Sequence, residues 1–580
     1  MRSDCSGQKS PLRVLLGMPT ATSSGPKTAA QRPTPAAISH ATDTIAWYRS
    51  TWAIALTGSL LMCAALPPLD WWPLAWVAPV PWLLLARQER LGGRRPYRAL
   101  WLAGFVFWLA ALYWLTLPHW ATSFGWLALS FYLAFYIPVF VGLTRVAVHR
   151  LGISLLVAAP IVWTGLELAK GRLLSGFTMG SLGHTQFRFL PFIQVADIIS
   201  GYGVGGLVIL GASCLARMIP WNGRRWAIWP LAPLAAMFAV TLIYGHQRLA
   251  SATAPGAATS RVALIQGSID ITMKLDPSAF QAIHNDYMRL SRAAVEQSAR
   301  AGNRPLDLIV WPETMFRGTL LSFEQGAKPP EGATPEQAAE KIARVSELIT
   351  QTAHELGAPL LLGIDRWHFR ADGRTERYNS GLFVTADGQQ LGHYDKTHLV
   401  MFGEYVPFAE MFPFLYRLTP LPGGVTPGQA PYAEDVRGRR YAPSICYETT
   451  IPHVIRRQVI ELRERGQEPD VLVNLTNDGW FWGSSELDMH LMCAVFRAIE
   501  CRKPVLIAAN TGFSAWIDSD GRIREQGPRR AEGVILADVA RDPRGSFYLE
   551  YGDLPSGLCL LACGGLAIIG LRDRRRSRAA

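Results

Sequence analysis

Charge is scarce in this sequence. Asp, Glu, Lys and Arg make up only 18% of it, against 49% hydrophobic residues, a balance too apolar for a wholly soluble chain. Cysteine pairs of metal-binding spacing are missing as well. The eight cysteines, Cys5, Cys63, Cys214, Cys446, Cys493, Cys501, Cys559 and Cys563, include no Cys-x-x-Cys, which argues against a zinc ribbon. No other metal-ligand cluster stands out, so neither a metal nor an organic cofactor is expected. The apolar stretches lack the polar face of a helix that borders water. They also lack paired charges of the kind that line transport pathways, with Asp197 and Glu167 the nearest exceptions, which disfavours a transporter. Residues 1–45 are rich in Ser, Thr, Ala and Pro, and residues 12–18 are too short an apolar run for a signal peptide core. They read as a disordered N-terminal tail, or as the product of a start codon set too early.

From Trp52 the character changes. Apolar stretches follow one another at 52–66, 71–86, 99–117, 123–144, 152–168, 192–216 and 226–244, with an eighth at 556–571. Several approach the roughly 20 residues needed to cross a bilayer. Trp71, Trp72, Trp114 and Trp120 crowd their ends, as in an interfacial aromatic belt. The basic excess, 57 Lys plus Arg against 45 Asp plus Glu, would suit nucleic acid or an acidic membrane surface, and its placement decides for the membrane. Arg87, Arg90, Arg94, Arg95 and Arg98 follow the second stretch, Arg145 and Arg150 the fourth, Arg217, Arg224 and Arg225 the sixth, and Arg572, Arg574, Arg575, Arg576 and Arg578 the eighth. These are alternate loops, so the positive-inside rule puts them and both termini in the cytoplasm. The expected organisation is a tail (1–45), a transmembrane domain of seven helices (46–245), an outward-facing domain (246–550), and an eighth span with a basic tail (551–580).

The outward segment alternates strand signals (262–266, 306–311, 359–364, 381–385, 441–446, 470–475, 504–509, 513–517, 533–538) with helix signals (279–300, 336–356, 453–465, 487–502), the pattern of a layered α/β domain. Residues 323–337, rich in Pro, Gly and Glu, read as a surface insertion. Three motifs are set aside. Gly201-Tyr202-Gly203-Val204-Gly205-Gly206 matches a dinucleotide fingerprint but lies in an apolar helix, where small residues serve close packing. Asn474-Leu475-Thr476 is a glycosylation sequon in a buried strand. Cys493 and Cys501 lie eight apart on one helix, roughly 12 Å, too far for a disulfide.

The chemistry gathers at Ser444-Ile445-Cys446-Tyr447-Glu448, which ends a strand-like run. Taken alone, Cys446 is a buried structural cysteine. A nucleophilic cysteine needs a base and a positive partner. Trp311-Pro312-Glu313 and Tyr394-Asp395-Lys396 each place one ionisable residue just past a strand. The order Glu, Lys, Cys resembles the carbon-nitrogen hydrolase (nitrilase) superfamily. The likeness is carried by Ala263-Leu264-Ile265-Gln266-Gly267, the two motifs above, Phe402-Gly403-Glu404-Tyr405-Val406-Pro407, Cys446-Tyr447-Glu448 and Asn477-Asp478-Gly479-Trp480-Phe481, over about 261–539. With the apolar half, the chain resembles that superfamily's membrane branch, the apolipoprotein N-acyltransferases.

The resemblance implies an α-β-β-α sandwich joined to a multi-span helical membrane domain. It implies Cys446 as nucleophile, Glu313 as general base and acid, and Lys396 as oxyanion stabiliser. Glu404 would hold the lysine or the acyl intermediate, and Tyr447 and Glu448 would orient the nucleophile. His490 reads as structural. The implied acyl donor is a phospholipid. The implied acceptor is the N-terminal diacylglyceryl-cysteine of an apolipoprotein. The setting is the bacterial inner membrane, with a periplasmic catalytic domain and a monomeric enzyme that has no nucleic-acid partner. A membrane-tethered amidase acting on a small amide is the alternative that the triad permits. One stretch, 399–422, is unusually apolar for a connection. Its Phe402, Phe408, Met411, Phe412 and Phe414 either pack into the core or form an arm that dips into the outer leaflet, with Gly403, Gly423 and Gly424 as hinges.

Overall fold

Prolines decide where the apolar runs bend. The computed structural model describes residues 50–220, 226–251, 258–302, 304–330, 332–407, 409, 411, 412, 414, 416 and 424–579, with side chains to residue 572 in the last stretch. The tail at 1–45, Phe408 and Gly423 lie outside the described residues. Helix α1 (Thr51–Ala65) begins where the Ser50 hydroxyl accepts the Ala53 N–H. The next run does not form one helix. Pro73, Pro79 and Pro81 break it into a 3₁₀ turn at Trp72–Trp76 and a short α2 (Val80–Ala86). After α3 (Pro96–Ala111), the fourth run divides into α4 (Thr122–Leu133) and α5 (Tyr136–Arg150), because Pro138 has no N–H to offer the Ala134 carbonyl. Then come α6 (Leu155–Arg172), the one-turn α7 (Leu190–Ile193), α8 (Ala196–Met218) and α9 (Leu231–Ala250).

Among the described residues, three segments are long and apolar enough to cross a membrane: Thr122–Arg150, Ala196–Met218 and Leu554–Arg572, the last within α16 (Leu554–Ala579). Thr51–Ala65 and Trp72–Ala86 are shorter apolar helices. The glycine run lies in α8, as expected for packing. A Cβ on Gly206 would fall 2.2 Å from the Thr164 hydroxyl on α6. The two ends of this helical half differ. At one, Arg145 donates to the Glu89 carbonyl (2.9 Å), Arg87 to that of Ile219 (3.2 Å), and Thr51 to that of Gly92 (2.7 Å). At the other, Arg188 pairs with Asp70 and Arg172 with Asp553.

The rest of the chain builds two six-stranded sheets. The first runs β12-β1-β2-β3-β4-β5, from β1 (Thr259–Gln266), β2 (Leu308–Phe323), β3 (Leu360–Phe369), β4 (Thr375–Val384), β5 (Gln390–Asp395) and β12 (Gly533–Ala540). The second runs β11-β10-β9-β8-β7-β6, from β6 (Glu434–Val436), β7 (Arg439–Ile445), β8 (Val471–Thr476), β9 (Val505–Ala509), β10 (Ala515–Ile517) and β11 (Ile523–Gln526). Val262, Leu264, Val310, Leu361, Ile445, Val473, Leu475 and Leu506 fill the space between them. Beyond the short α10 (Ile271–Leu275), the amphipathic α11 (Phe280–Arg300) and α12 (Pro335–Leu356) cover the first sheet through Ile283, Tyr287, Ile349 and Ala353. Helices α13 (Pro452–Glu464) and α14 (Glu486–Cys501) cover the second, and α15 (Phe547–Tyr551) leads into α16.

Every residue of α14 except Asp488 is buried. One side meets the second sheet and the other meets α8, so a single hydrophobic cluster runs from Ile54 and Val208 through Phe496 to Ala515. Cys493 and Cys501 sit in that core as free thiols. Two edge strands, β6 and β11, were not anticipated, because short exposed edges carry no alternating apolar pattern. Strand β2 runs twelve residues past the expected end at 311, through two register shifts against β3.

Candidate active site

Glu313 stands at the first of those shifts. It follows the buried Val310-Trp311-Pro312 at the point where β2 leaves its register, and Thr314 after it takes the left-handed conformation (φ 53°). The kink brings Pro312 so close to β3 that only glycine fits opposite. A Cβ on Gly363 would lie 2.0 Å from the Pro312 carbonyl oxygen. Asn379 on β4 donates to Glu313 Oε1 (2.6 Å), and the Asn477 N–H, just past β8, donates to Oε2 (3.0 Å). Lys396 lies one residue past β5, held by its N–H on the Asn379 carbonyl (2.9 Å). Its side chain is 1% exposed, and Nζ sits 2.8 Å from Glu404 Oε1 and 4.0 Å from Glu313 Oε1. Glu404 also accepts the Val400 N–H through Oε2 (2.8 Å).

Cys446 ends β7 and opens a 3₁₀ turn, itself left-handed (φ 51°). A non-glycine residue there carries on the order of 1–2 kcal/mol of strain, which turns the thiol out of the strand towards the base. The Asn474 amide holds the Cys446 carbonyl (3.2 Å), so the sequon asparagine is a buried structural group. Tyr447 donates to the Gly176 carbonyl (2.7 Å). Glu448 is fully buried. It accepts from the Tyr394 hydroxyl (2.8 Å), the Thr397 N–H (2.8 Å) and hydroxyl (2.9 Å), the His398 N–H (2.9 Å) and the Ile445 N–H (2.7 Å). It thereby clamps the turn after Lys396 to the turn that carries Cys446.

The electrostatics follow from burial. Burial pushes the Glu313 carboxyl above the ordinary carboxylate range; Lys396, Lys274 and the Asn379 hydrogen bond pull it back, and Glu404 opposes them. Burial also pushes the Cys446 thiol well up, helped by the Glu313 charge and opposed by Lys396. Cys446 therefore rests as a thiol and not as a preformed thiolate, and a nucleophilic role for it requires a base to take its proton. Burial works against the Lys396 ammonium, yet Glu404, Cys446 and Glu313 outweigh it and keep it charged. The Asn379 bond supports the ionised base, so Asn379→Ala raises the Glu313 pKa and moves the acid limb of the rate profile to higher pH. At neutral pH the loss is on the order of tenfold, the worth of one charge-assisted hydrogen bond. An unshifted acid limb in Asn379→Ala would remove Glu313 as the base.

His490 is buried on α14. It sits 3.3 Å from Asp478 Oδ1, and Asp478 also accepts the Thr476 hydroxyl (2.7 Å). Glu486 joins them, and the three buried residues bring ligand-type atoms within 4.8 Å of one another, a cluster invisible in the sequence because it joins the 3₁₀ turn after β8 to α14. Asn379 and Lys274 were also missed, since neither lies in a motif. In the 399–422 stretch, Leu399, Val406 and Ala409 are buried, while Phe402, Met411, Phe412 and Phe414 are exposed, Met411 by 71%.

The paired sheets between helices, with Glu313 at the kink within β2 and Lys396 and Cys446 just past β5 and β7, define a carbon-nitrogen hydrolase fold, and the family model of that description matches residues 261–547. A second model, the apolipoprotein N-acyltransferase N-terminal domain, matches 58–214. The chain is 37% identical to an apolipoprotein N-acyltransferase of Geobacter metallireducens, over 91% of its own length and 96% of the relative's. It is 30% identical to one of Rhodopirellula baltica, over 85% and 92%. It belongs to the apolipoprotein N-acyltransferase family. Among solved structures, an amidase from Nesterenkonia sp. AN1 aligns with 51% of this chain and 95% of its own at 16% identity, with a TM-score of 0.35.

Proposed function

We infer that the chain transfers an acyl group from a phospholipid, through a thioester on Cys446, to the α-amine of the N-terminal diacylglyceryl-cysteine of lipoproteins. The observation that carries this reading is the direct seam between the triad and the apolar half. The nucleophile turn hangs on the loop after α6, through Tyr447 to the Gly176 carbonyl and Thr178 to the Thr450 carbonyl (2.5 Å). An acyl-thioester site built onto apolar helices is placed to meet lipid esters.

In the first half-reaction Glu313 takes the thiol proton and the sulfur attacks the ester carbonyl. Lys396 stabilises the oxyanion, and the tetrahedral intermediate expels the lysophospholipid oxygen, which receives the proton from Glu313. In the second, the lipoprotein amine attacks the thioester, Glu313 accepts its proton, and the thiol is restored. The cycle is ping-pong. Phospholipid alone gives a burst of lysophospholipid equal to the enzyme present and a matching acyl mass on Cys446. Release of free fatty acid with no retained adduct would instead identify a hydrolase.

The eight-span topology, with both termini cytoplasmic and the sandwich on the periplasmic face of the inner membrane, is supported by the meeting of Arg87 and Arg145 with carbonyls at one end of the helical half. The exposed Phe402, Met411, Phe412 and Phe414 support the lipid arm. Buried in a leaflet, each would contribute roughly 1.5–3 kcal/mol. A fluorophore at Gly332 is expected to be reached by an aqueous quencher from the periplasmic side, and one at Phe412 by a lipid-borne quencher. Quenching of Gly332 only from the cytoplasmic side would invert the topology, and a Phe412 probe blind to lipid would return the arm to the protein surface.

A further inference from the structure

Two cations beside Glu313, Lys274 and Arg317, lack a carboxylate within ion-pair distance among the described residues. Lys274 comes from α10, whose preceding turn is fixed by Asn510. That side chain receives the Ile269 N–H (2.9 Å) and donates to the Ile269 carbonyl (2.8 Å) and to Asn477 Oδ1 (3.0 Å), and the Asn477 N–H holds Glu313. Lys274 is thus positioned by the same network that positions the base. Its Nζ donates to the neutral Thr314 hydroxyl, next to Glu313. Arg317, three residues further along β2, has a buried Nε without a hydrogen-bond partner. Among the described residues neither cation has a carboxylate within ion-pair distance, whereas Lys396 has two. Asp365, aligned with Thr319 on β2 and with Asn379 on β4, is near enough for its charge to act on both cations, but it pairs with neither. Half-buried cations without counter-ions are costly, and an anion arriving with the substrate relieves that cost.

We propose that Lys274 and Arg317 form the seat for the phosphodiester of the acyl donor, a subsite that rests on the acyl-transfer reading above. The chemistry fits in charge and reach. A glycerophospholipid carries one negative phosphodiester a few bonds from its ester carbonyls. Lys274 lies close enough to both Cys446 and Glu313 for their charges to act on it. A lysine point charge and an arginine fork together suit a phosphate oxygen pair. The seat would hold the glycerol backbone while the sulfur attacks the chain that Lys396 polarises.

The test measures binding apart from turnover. Full-length Cys446→Ala protein in detergent is titrated calorimetrically with a short-chain phosphatidylglycerol and with the matching uncharged diacylglycerol. Lys274→Met and Arg317→Gln, each in that background, are expected to weaken the phospholipid by at least about tenfold relative to the diacylglycerol, and the charge-conserving Lys274→Arg to retain most of the preference. Equal weakening of both lipids, or of neither, overturns the seat. Displacement of the lipid by inorganic phosphate at matched concentration would assign the site to a free anion and overturn it as a lipid subsite. If the lipid binds with this preference but protein with native Cys446 acquires no acyl group, the seat stands and the acyl-transfer reading fails.

Discussion

Cys446→Ala protein is expected to insert, fold and bind lipid, yet to form no acyl-enzyme and no N-acylated product. On the proposed mechanism the thiol carries the acyl chain between the two half-reactions, so its loss removes the path itself and exceeds any loss from weakened stabilisation. The structure adds a sharper expectation for Cys446→Ser. Glu313 already has to draw a proton from a thiol that burial and the Glu313 charge make reluctant to ionise. A hydroxyl is a far weaker acid, so the serine variant is expected to fall at least about a thousandfold, with a thermal unfolding profile like that of the native chain. Intact mass after incubation with phospholipid reads the adduct directly, and an acyl mass on the alanine variant would move the nucleophile elsewhere.

Glu448→Ala is expected to be nearly as damaging by a different route. The carboxylate touches neither the thiol nor the base, but it is the common acceptor for five donors on the two turns that carry Lys396 and Cys446. Truncation leaves those donors unpaired in a fully buried site, which costs about 3–5 kcal/mol of stability and lets the two turns drift apart. Thermal unfolding should fall together with acyl-enzyme formation. Glu448→Gln, which keeps one acceptor oxygen, should recover part of both. A Glu448→Ala protein with native thermal stability and unchanged acylation would show that the clamp is dispensable.

The candidate triad was legible because each member sits in a short run with its own signature in the order Glu, Lys, Cys; Lys396 and Cys446 lie just past β5 and β7 as expected, whereas Glu313 lies at a kink within the longer β2. What holds the triad was less so. Glu404 was tied to the lysine by the family resemblance, but Asn379 lies within β4 and reaches Glu313 only because β2, β3 and β4 are neighbours. The same is true of Lys274, whose placement depends on Asn510 more than two hundred residues away. The four amphipathic helices of the sandwich were read within a residue or two, since one face of each is apolar. The apolar stretches were located but their breaks were not, because hydropathy is blind to the missing N–H of Pro73, Pro79 and Pro138. Nor could composition reveal that α14 serves both halves, since a helix buried on every side looks the same whichever neighbours bury it.

The last helix, α16, has a consequence for how the molecule comes to exist. It packs along α6, with the Cys563 sulfur 3.6 Å from the Val162 carbonyl, 401 residues earlier in the chain. On the ribosome, α6 is finished long before its partner is made. Its flank stays open while the whole sandwich is synthesised, and only then does α16 arrive to close it. On the proposed topology the sandwich is exported in that interval, so a nascent chain that stalls within it leaves this flank of α6 uncovered, a ready target for membrane quality control.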